Sequence, residues 1–383
     1  MKKNALIIGG SNGIGLSVAG KLSERGYRKI HILDKCDPPQ ELGAPFVFHR
    51  FSLLNDDYAI FDTFTDEIDT LVITAGFGRI DTFNNILDIE IINSYKVNAM
   101  AVCRIISRFY SQLLSRNPFY CAVMGSIAGL ISSPMFALYG ATKAAVCKFL
   151  ESINVELEKQ GAENRILNVS PGNIHGTTFH GGKNDLVQTE DLANAIIDKM
   201  FQRYSLFIPQ YEPVYRKVLS DYAADPHTFG IQSFDYKAHS GRLNTTPQVK
   251  VGYLSGTFDL FHIGHLNLLR RAKACCDYLV VGVHRDAAHK GKQAFIPFQE
   301  RFEIVGSIRY VDKVVESCSE DTDAYEKIGY HCLFVGSDYK NTDRFLRYEA
   351  YFKDKDVQII YFPYTQGTNS TQLRDIIANC ANN

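Results

Sequence analysis

Short apolar runs alternate with longer helical patterns from Asn4 to about Pro209. The apolar runs that read as strands are Ala5–Ile8, Lys29–Leu33, Thr70–Ile73, Tyr120–Met124, Arg165–Val169 and Ser205–Ile208. Strands separated by helices form βαβ units, which place the strands parallel to one another. The alternation therefore predicts an α/β fold with a doubly wound parallel sheet.

The alternation breaks between about Tyr211 and Gln248, where prolines occur with little periodicity, which indicates a linker with some helix. A second series then gives the strands Val249–Leu254, Tyr278–Val283, Cys332–Val335 and Val357–Phe362, and a last helix from about Ser370. A chain of 383 residues is expected to hold two domains at about 150 residues each. We predict one domain over residues 1–210, a linker over 211–247 and a smaller α/β domain over 248–383.

The composition limits the classes of partner. Hydrophobic residues make up 45% of the chain and charged residues 22%, which is typical of a globular protein. Lys and Arg number 41 against 42 Asp and Glu, and this net charge of −1 disfavours nucleic acid and anionic membranes as partners. No apolar run approaches the ~18 residues of a membrane span. The 9 cysteines include no C-x-x-C pair, so we expect reduced thiols and a soluble, cytoplasmic protein.

A glycine-rich turn, Gly9-Gly10-Ser11-Asn12-Gly13-Ile14-Gly15, joins the first predicted strand to an amphipathic helix. Such glycines let backbone amides approach a pyrophosphate, whose negative charge the helix N-terminus favours. Asp34 ends the second predicted strand, about 20 residues further on, where a carboxylate can accept hydrogen bonds from an adenosine ribose. An ordinary strand–helix loop is the alternative for the glycines alone; together with Asp34 they favour a Rossmann-type dinucleotide site.

Tyr139 and Lys143 lie four residues apart on a predicted helix and therefore share one face. An ammonium group near a phenol lowers the pKa of the phenol, which suits an acid that protonates a nascent alkoxide. Ser126 follows the predicted strand Tyr120–Met124, and its hydroxyl can hold a carbonyl oxygen. A solvated helix face is the alternative for the Tyr–Lys pair alone. The ordered combination with the glycine turn favours a hydride-transfer site.

These motifs resemble the short-chain dehydrogenase/reductase family over about residues 1–210, with Thr74-Ala75-Gly76 in place of the family's Asn-Ala-Gly. The resemblance implies that Tyr139 is the acid and that Lys143 binds the nicotinamide ribose and lowers the pKa of Tyr139. It also implies that Ser126 orients the substrate and that Asn98 helps to hold a proton-relay water. The implied cofactor-binding residues are Gly9, Ser11, Asn12, Gly13, Ile14, Gly15, Asp34, Ala75, Gly76, Tyr139, Lys143, Pro171 and Thr177.

Two details of this resemblance concern the cofactor. Asp34 would repel a 2′-phosphate, and Asn12 stands where NADP-preferring relatives often carry a basic residue, so NADH is favoured over NADPH; the adjacent Lys35 weakens this preference. Thr177 follows Pro171 by one residue more than the family pattern, which leaves its contact with the carboxamide open.

A second motif, Gly256-Thr257-Phe258-Asp259-Leu260-Phe261-His262-Ile263-Gly264-His265, follows the predicted strand Val249–Leu254. His262 and His265 share a face at a helix N-terminus, with Gly264 leaving room for a phosphate. Phosphoryl transfer needs positioning and hydrogen-bond donors more than a nucleophilic side chain. Capping or core histidines are the alternative. Zinc is disfavoured because no cysteine or carboxylate ligand set accompanies the pair.

The motif resembles the HxGH cytidylyltransferases, nearest to the glycerol-3-phosphate cytidylyltransferase type, over about residues 249–377. The resemblance implies CTP with Mg²⁺ held through the CTP phosphates, no metal site of the protein's own, and the two histidines stabilising the α-phosphate as pyrophosphate leaves. Lys290 and Lys292 would neutralise charge, with a solvated loop as the alternative. The implied CTP- and phosphate-binding residues are Gly256, Thr257, Phe258, Asp259, His262, His265, Lys290, Lys292, Arg301, Arg309, Asp338, Thr368, Ser370 and Thr371.

The last motif of that family usually opens with an arginine, and Tyr364 stands there in this chain. Arg374, on the following predicted helix, is one substitute for the missing phosphate ligand; an acceptor other than glycerol phosphate is the other explanation.

Together the two motifs predict an enzyme with two activities. It would reduce a ketose phosphate, ribulose 5-phosphate, to an alditol phosphate and couple that product to CTP as CDP-ribitol, for capsule or teichoic-acid-type polymers. The alternatives are synthesis of CDP-glycerol, a cytidylyltransferase with a non-catalytic NAD-binding domain, and an adenylyltransferase of nicotinamide metabolism, which the Arg309-Tyr310-Val311-Asp312 match disfavours. The expected partners are small-molecule substrates and further copies of the chain, in a homodimer or homotetramer.

Overall fold

The computed structural model describes residues 2–38, 43–54, 57–177, 179, 184–243, 249–286, 294–355 and 357–363. The chain divides into two compact units, Met1–Gln248 and Val249–Asn383. Each unit is built on its own parallel sheet. This confirms the predicted α/β class with two parallel-sheet regions.

The strands of the first sheet are β1 (Asn4–Ile8), β2 (Lys29–Asp34), β3 (Phe46–Arg50), β4 (Thr70–Ile73), β5 (Tyr120–Met124), β6 (Ile166–Val169) and β7 (Leu206–Phe207). Their order across the sheet is β3-β2-β1-β4-β5-β6-β7, and neighbouring strands are parallel. β4 and β6 are buried along their whole length, as expected for strands covered on both faces. The strand order reverses between β1 and β4, so their carboxyl ends form the crevice where such sheets bind ligands.

The helices of the first unit are α1 (Gly13–Glu24), α2 (Asp88–Tyr95), α3 (Ala101–Arg108), α4 (Tyr110–Leu114), α5 (Ala137–Lys159), α6 (Leu186–Phe201), α7 (Arg216–Ala224) and α8 (Pro226–Ala238). One apolar cluster joins alternate strand residues such as Leu6 and Ile8 to α3 and α5. A second cluster joins the residues between them, such as Ile7, to α1 and α6. The alternation of side chains along each strand thus gives the sheet a core on each face.

The sequence pattern does not predict β3. Its residues Phe-Val-Phe-His-Arg are half-buried or exposed, and the strand pairs with β2 at the edge of the sheet. The polar residues His49 and Arg50 interrupt the apolar run that marks the central strands.

The stretch predicted as a linker differs from that expectation, because the first unit extends to Gln248 and includes α7 and α8. Asp225 caps α8 by accepting hydrogen bonds from the backbone amides of His227 and Thr228. After α8, Leu243 forms an isolated parallel bridge with Ile80. These contacts make the segment part of the first unit.

The second unit has the strands β8 (Val251–Gly256), β9 (Tyr278–Val283), β10 (Lys313–Glu316), β11 (Cys332–Gly336) and β12 (Gln358–Phe362). Their order is β10-β9-β8-β11-β12, with parallel neighbours. The order reverses between β8 and β11, which places a second ligand-binding crevice at their carboxyl ends. The sequence pattern does not predict β10, a four-residue edge strand with a charged residue at each end.

The helices of the second unit are α9 (Ile263–Ala274), α10 (Phe298–Gly306), α11 (Asp321–Ile328) and α12 (Asp343–Phe352). Its core packs Leu254 of β8 and Leu279 of β9 against Leu269 of α9. The last helix predicted from about Ser370 lies outside the described residues.

Within the described ranges, no helix combines the length and apolar character needed to cross a membrane. The described cysteines are all free thiols.

Candidate functional site

The glycine-rich turn lies between β1 and α1 and is tightly packed. Gly9 and Gly13 adopt left-handed φ values of 85° and 51°. A Cβ atom at Gly15 would lie 2.2 Å from the carbonyl oxygen of Gly9, so α1 approaches the turn closely only without a side chain there. Asn12 is the N-cap residue of α1, and Ile14 begins to pack against the core. This backbone cradle at a helix N-terminus fits a dinucleotide pyrophosphate.

Asp34, at the end of β2, lies beside this turn. Its carboxylate accepts hydrogen bonds from the backbone amides of Ser11 (3.1 Å) and Cys36 (3.2 Å). The hydroxyl of Ser11 in turn donates to the carbonyl oxygen of Cys36 (2.7 Å). The acid is therefore held at the rim of the glycine turn, where the sequence predicts a ribose contact.

The segment after β4 brings the cofactor motif and the predicted catalytic residues together. Thr74 Oγ1 donates to the carbonyl oxygen of Gly9 (2.9 Å), and the amide of Ala75 donates to that of Ile8 (3.0 Å). A Cβ atom at Gly76 would lie 3.2 Å from Asn98 Oδ1 and 3.4 Å from Lys143 Nζ. The crevice between β1 and β4 thus contains residues of both predicted sets.

Asn98 lies in a π-helical turn, Lys96–Met100, between α2 and α3. Its side-chain oxygen accepts from the amide of Phe77 (3.0 Å), and its Nδ2 donates to the carbonyl oxygen of Phe77 (2.8 Å) and to Thr142 Oγ1 (3.2 Å). π-turns within helices are frequent at functional sites because they redirect a side chain. Here the turn fixes a fully buried amide next to α5.

Ser126 and Tyr139 form the centre of the site. The two hydroxyls are hydrogen-bonded to each other, and Ser126 Oγ also accepts from the amide of Ala128 (3.2 Å). The Tyr139 ring stacks on Phe136 at a centroid distance of 4.3 Å and meets the ring of Phe179 edge-on at 5.2 Å. This packing excludes water from the phenol on two sides.

Lys143 is buried one helical turn after Tyr139. Its ammonium donates to the carbonyl oxygen of Met124 (2.7 Å) and lies 5.6 Å from the centroid of the Tyr139 ring. Burial lowers the pKa of Lys143 to about 8 and raises the pKa of Tyr139 above its usual value. Burial of the phenol is the largest influence on the pKa of Tyr139, and the lowering by Lys143 that the family resemblance implies stays a prediction.

Pro171 and Thr177 lie beside these groups. The carbonyl oxygen of Pro171 accepts from the amide of Ile127, next to Ser126 (2.9 Å). A Cβ atom at Gly13 would lie 3.5 Å from Thr177 Cγ2, so this threonine borders the glycine turn. Its contact with a nicotinamide carboxamide stays a prediction.

Sequence reasoning missed a buried ion network next to the site. Arg79 donates to both carboxylate oxygens of Glu90 (2.8 and 3.0 Å) and forms an ion pair with Asp81. The amide of Asp81 donates to the carbonyl oxygen of Met135, which packs in the same cluster as Tyr139. No local motif marks this network, because its members come together only when the loop after Gly78 folds.

In the second unit, the two predicted histidines meet at the start of α9. His262 is the N-cap residue, and its Nδ1 accepts from the amide of Gly264 (3.0 Å). The rings of His262 and His265 stack at 4.0 Å between centroids, and burial lowers the pKa of His262. The capping hydrogen bond fixes the orientation of the His262 ring. The stacking contact fixes the orientation of the His265 ring.

The preceding segment from Gly256 to Leu260 is strained, and its residues are buried or half-buried. Phe258 and Leu260 adopt φ values of 53° and 49°, a left-handed conformation that is uncommon for such side chains. The Thr257 hydroxyl is buried and has no hydrogen-bond partner among the described residues. An oxygen-bearing ligand would satisfy this group, which fits a nucleotide phosphate.

Asp259 and Arg301, both predicted to bind CTP, instead form contacts with the backbone. The Asp259 carboxylate accepts from the amides of Phe295 (3.1 Å) and Ile296 (2.9 Å). Arg301 is 1% exposed, and its guanidinium donates to four carbonyl oxygens. These acceptors belong to Thr257, His284, Arg285 and Ile296. The structure therefore gives Arg301 a positioning role in place of the predicted phosphate contact.

Arg309 and Asp338 lie at opposite edges of the second sheet. Asp338 follows β11, at the carboxyl edge where the histidines lie, and is exposed. Arg309 precedes β10 and is exposed at the amino edge. The phosphate contact predicted for Arg309 stays a prediction. Lys290, Lys292, Tyr364, Thr368, Ser370, Thr371 and Arg374 lie outside the described residues.

Two more polar groups of the second unit escaped sequence reasoning. Asp321, the first residue of α11, accepts a hydrogen bond from Ser255 Oγ of β8 (2.7 Å), and burial raises the pKa of its carboxyl group.

Across the described ranges, no three His, Cys, Asp or Glu side chains gather as a metal site.

Two family models match the chain, and they match different units. The short chain dehydrogenase model covers residues 3–186. The Cytidylyltransferase-like model covers residues 253–376.

Individual proteins give the same division. The glycerol-3-phosphate cytidylyltransferase of Bacillus subtilis (strain 168) is 35% identical over 127 residues, which span 32% of this chain and 93% of that protein. A short chain dehydrogenase from Burkholderia cenocepacia J2315, solved in complex with NADP, superimposes with a TM-score of 0.52 at 20% identity over 60% of this chain and 96% of its own. A short chain dehydrogenase from Burkholderia phymatum, solved in complex with NAD, superimposes with a TM-score of 0.50 at 19% identity. The superposition covers 58% of this chain and 93% of that chain. At these identities the two structures show the fold alone.

Fold, site and relatives together define an enzyme with an oxidoreductase domain and a nucleotidyltransferase domain. The chain belongs to the cytidylyltransferase-like family through its second unit, and its first unit is a short-chain dehydrogenase domain. The predicted fusion of the two domains is confirmed.

Proposed function

We propose that the first unit reduces a ketose phosphate, ribulose 5-phosphate, to ribitol 5-phosphate and that the second unit couples this product to CTP. The products would be CDP-ribitol and pyrophosphate, with the CDP-alditol serving capsule or teichoic-acid-type polymers. The observation that carries the proposal is that each unit holds its complete set of described reacting groups at the carboxyl edge of its sheet. Asn98, Ser126, Tyr139 and Lys143 lie together in one, and His262 and His265 in the other.

In the reduction, the nicotinamide supplies a hydride to the carbonyl carbon of the sugar. The C=O double bond becomes a single bond, and the Tyr139 hydroxyl gives its proton to the carbonyl oxygen. Ser126, already bonded to Tyr139, orients that oxygen. A buried ammonium at Lys143 offsets the negative charge that remains on the Tyr139 oxygen until the proton is replaced.

We propose NADH as the preferred cofactor. Asp34 lies beside the glycine turn and accepts from the amide of Ser11, so its carboxylate can bind a ribose diol and repel a 2′-phosphate. Asn12, the N-cap of α1, adds no positive charge that would attract such a phosphate.

In the transfer, a phosphate oxygen of the alditol phosphate attacks the α-phosphorus of CTP, and the bond from that phosphorus to the bridging oxygen of pyrophosphate breaks. His262 and His265 lie at the N-terminus of α9, where imidazole and amide donors can stabilise the charge on the α-phosphate. We propose that Mg²⁺ enters with the phosphates of CTP, as is usual for this chemistry.

The reductase supports ribitol over glycerol as the alditol. Glycerol phosphate arises in common metabolism, so a dedicated ketose reductase is better explained by a longer alditol. The similarity to glycerol-3-phosphate cytidylyltransferases favours CDP-glycerol as the second candidate product. We also propose a cytoplasmic homodimer or homotetramer that acts on small molecules.

A substrate panel tests the proposal. The purified chain receives CTP, Mg²⁺ and either NADH or NADPH with one ketose or aldose phosphate at a time, and the nucleotide products are identified by mass spectrometry. We expect CDP-ribitol from ribulose 5-phosphate only when a reduced nicotinamide cofactor is present. CDP-ribitol formation from ribitol 5-phosphate with no reduction of any sugar phosphate would instead favour a non-catalytic first unit. CDP-glycerol as the main product would favour the second candidate.

A further inference from the structure

Part of the segment that sequence reasoning assigned to a linker packs against the apolar cluster around Tyr139. Ala238, at the end of α8, packs on the cluster that contains Tyr139 and Met135. Leu243 then pairs with Ile80, a member of the same cluster. The end of α8 and Leu243 therefore lie next to the cluster that contains the phenol proposed to protonate the substrate.

Lys237 directly precedes Ala238 on α8 and is 9% exposed. Its ammonium donates to Ser133 Oγ (2.9 Å) and Ser233 Oγ (2.8 Å). Ser133 is close to the start of α5, since a Cβ atom at Gly140 would lie 3.6 Å from Ser133 Cβ. Ser133 lies in the segment between Ser126 and Tyr139, so Lys237 is hydrogen-bonded to the segment that joins these two residues of the site.

The charges around Lys237 are unbalanced. Its described partners are neutral hydroxyls, and the guanidinium of Arg242, which acts on it electrostatically, has the same sign. Within the described ranges, neither cation forms an ion pair with a carboxylate. Burial lowers the pKa of Lys237 to about 8, which reflects the unfavourable transfer of an unpaired ammonium from water. A bound anion would remove this imbalance.

We propose that Lys237, together with Arg242, binds the phosphate group of the sugar phosphate that the first unit reduces. An ammonium has three donors, and the serines occupy two, which leaves one N–H for a phosphate oxygen. The guanidinium of Arg242, which lies 5.2 Å from the Tyr236 ring, adds donors of matching geometry. This inference rests on the proposed function, and it assigns the recognition of the substrate's charge to α8 and the residues that follow it.

The test compares ribulose 5-phosphate with ribulose, its uncharged counterpart, in Lys237→Met and in the wild-type chain. We expect the KM for ribulose 5-phosphate to rise about 10- to 100-fold, as for loss of a hydrogen bond to a charged group, with little change for ribulose. Lys237→Arg should recover part of the preference. Lys217→Met is the matched control, because Lys217 is exposed on α7 and pairs with Asp221.

Three outcomes separate the inference from the proposed function. A wild-type enzyme that reduces ribulose as well as its phosphate contradicts the proposed substrate. A wild-type preference for the phosphate that Lys237→Met leaves intact overturns only the role of Lys237. Equal loss with both sugars shows a structural role for the lysine and also overturns it. NADH binding by fluorescence reports whether the first unit of each variant is folded. If Lys237→Met does not fold, the less buried Arg242→Met gives the same comparison.

Discussion

The two units share a strand order and differ in the chemistry of their first turn. In each, the first strand of the unit pairs with the second on one side and with a later strand on the other, so a crevice opens at the carboxyl edge. In the first unit the turn into the next helix contains glycines; in the second it contains two histidines and a threonine whose hydroxyl is buried. The comparison indicates that the strand order determines where a ligand binds and that the residues of the first turn determine which ligand binds there.

The glycine turn offers backbone donors alone, so the first unit takes its chemistry from other elements. Tyr139 and Lys143 come from α5, Asn98 from a π-turn and Ser126 from the end of β5. The second unit holds its charge-stabilising groups in the turn itself. A substitution in one unit should therefore leave the activity of the other intact, and the following predictions test this independence.

The largest effect is expected from Tyr139→Phe, which removes the proton donor but keeps the ring that stacks on Phe136. Reduction should fall by about 10²- to 10⁴-fold, as for loss of a general acid. Cytidylyl transfer with ribitol 5-phosphate should not change. Steady-state rates of both reactions check this, with the exposed Tyr95→Phe as control. Equal loss of the two activities would show that the units are not independent.

His265→Ala should produce the converse result. Transfer should fall by about 10²- to 10³-fold, the usual effect of removing a donor that stabilises transition-state charge, while NADH oxidation stays normal. Pyrophosphate release measures the transfer, and His239→Ala, an exposed histidine on the other unit, is the control. A normal rate of transfer in His265→Ala would mean that the histidine pair only caps α9.

Within the second unit, substitutions of Arg301 and Arg309 compare a buried arginine with an exposed one. Arg301→Met leaves four backbone carbonyl oxygens without their donor and should lower the free energy of unfolding by at least about 3 kcal/mol. Arg309→Met removes an exposed group and should change it by less than about 0.5 kcal/mol. Urea unfolding of the two variants decides between these roles. If both variants are as stable as the wild type and Arg301→Met has a raised KM for CTP, Arg301 contacts a phosphate of CTP as the sequence predicts.

The smallest effect concerns the choice of cofactor. Asp34→Ala removes the carboxylate beside Ser11 and should raise the use of NADPH relative to NADH by about tenfold, on the order of one charge contact near a protein surface. The ratio of kcat/KM values for the two cofactors is the measurement. If the ratio is the same in the variant and the wild type, Asp34 does not contact the ribose.

Local sequence spacing was sufficient for the parts of each site that depend on one turn or one helix. Residues close in sequence have fixed relative positions in such elements. This is why the sequence predicted the glycine turn, the pair Tyr139 and Lys143, and the pair His262 and His265. The edge strands β3 and β10 were missed because polar residues interrupt their short apolar runs.

Residues whose roles depend on distant contacts could not be assigned in this way. Arg301 was predicted to bind a phosphate because the sequence shows its positive charge. The sequence does not show the four backbone carbonyl oxygens that accept its hydrogen bonds. Lys237 was placed in a linker because the contacts of α8 with Ser133, and of Leu243 with Ile80, join segments far apart in the chain. For the same reason the burial that raises the pKa of Tyr139 was not predicted.

We propose that the product of the first unit is the acceptor of the second. Isotope transfer tests it most directly: the enzyme is given ribulose 5-phosphate, CTP, Mg²⁺ and NADH deuterated at the transferred position, and the CDP-alditol is examined by mass spectrometry. We expect a CDP-ribitol that carries deuterium on carbon, with the label absent in Tyr139→Phe. An unlabelled CDP-alditol, or deuterated ribitol 5-phosphate that the wild-type enzyme never joins to CTP, would contradict it.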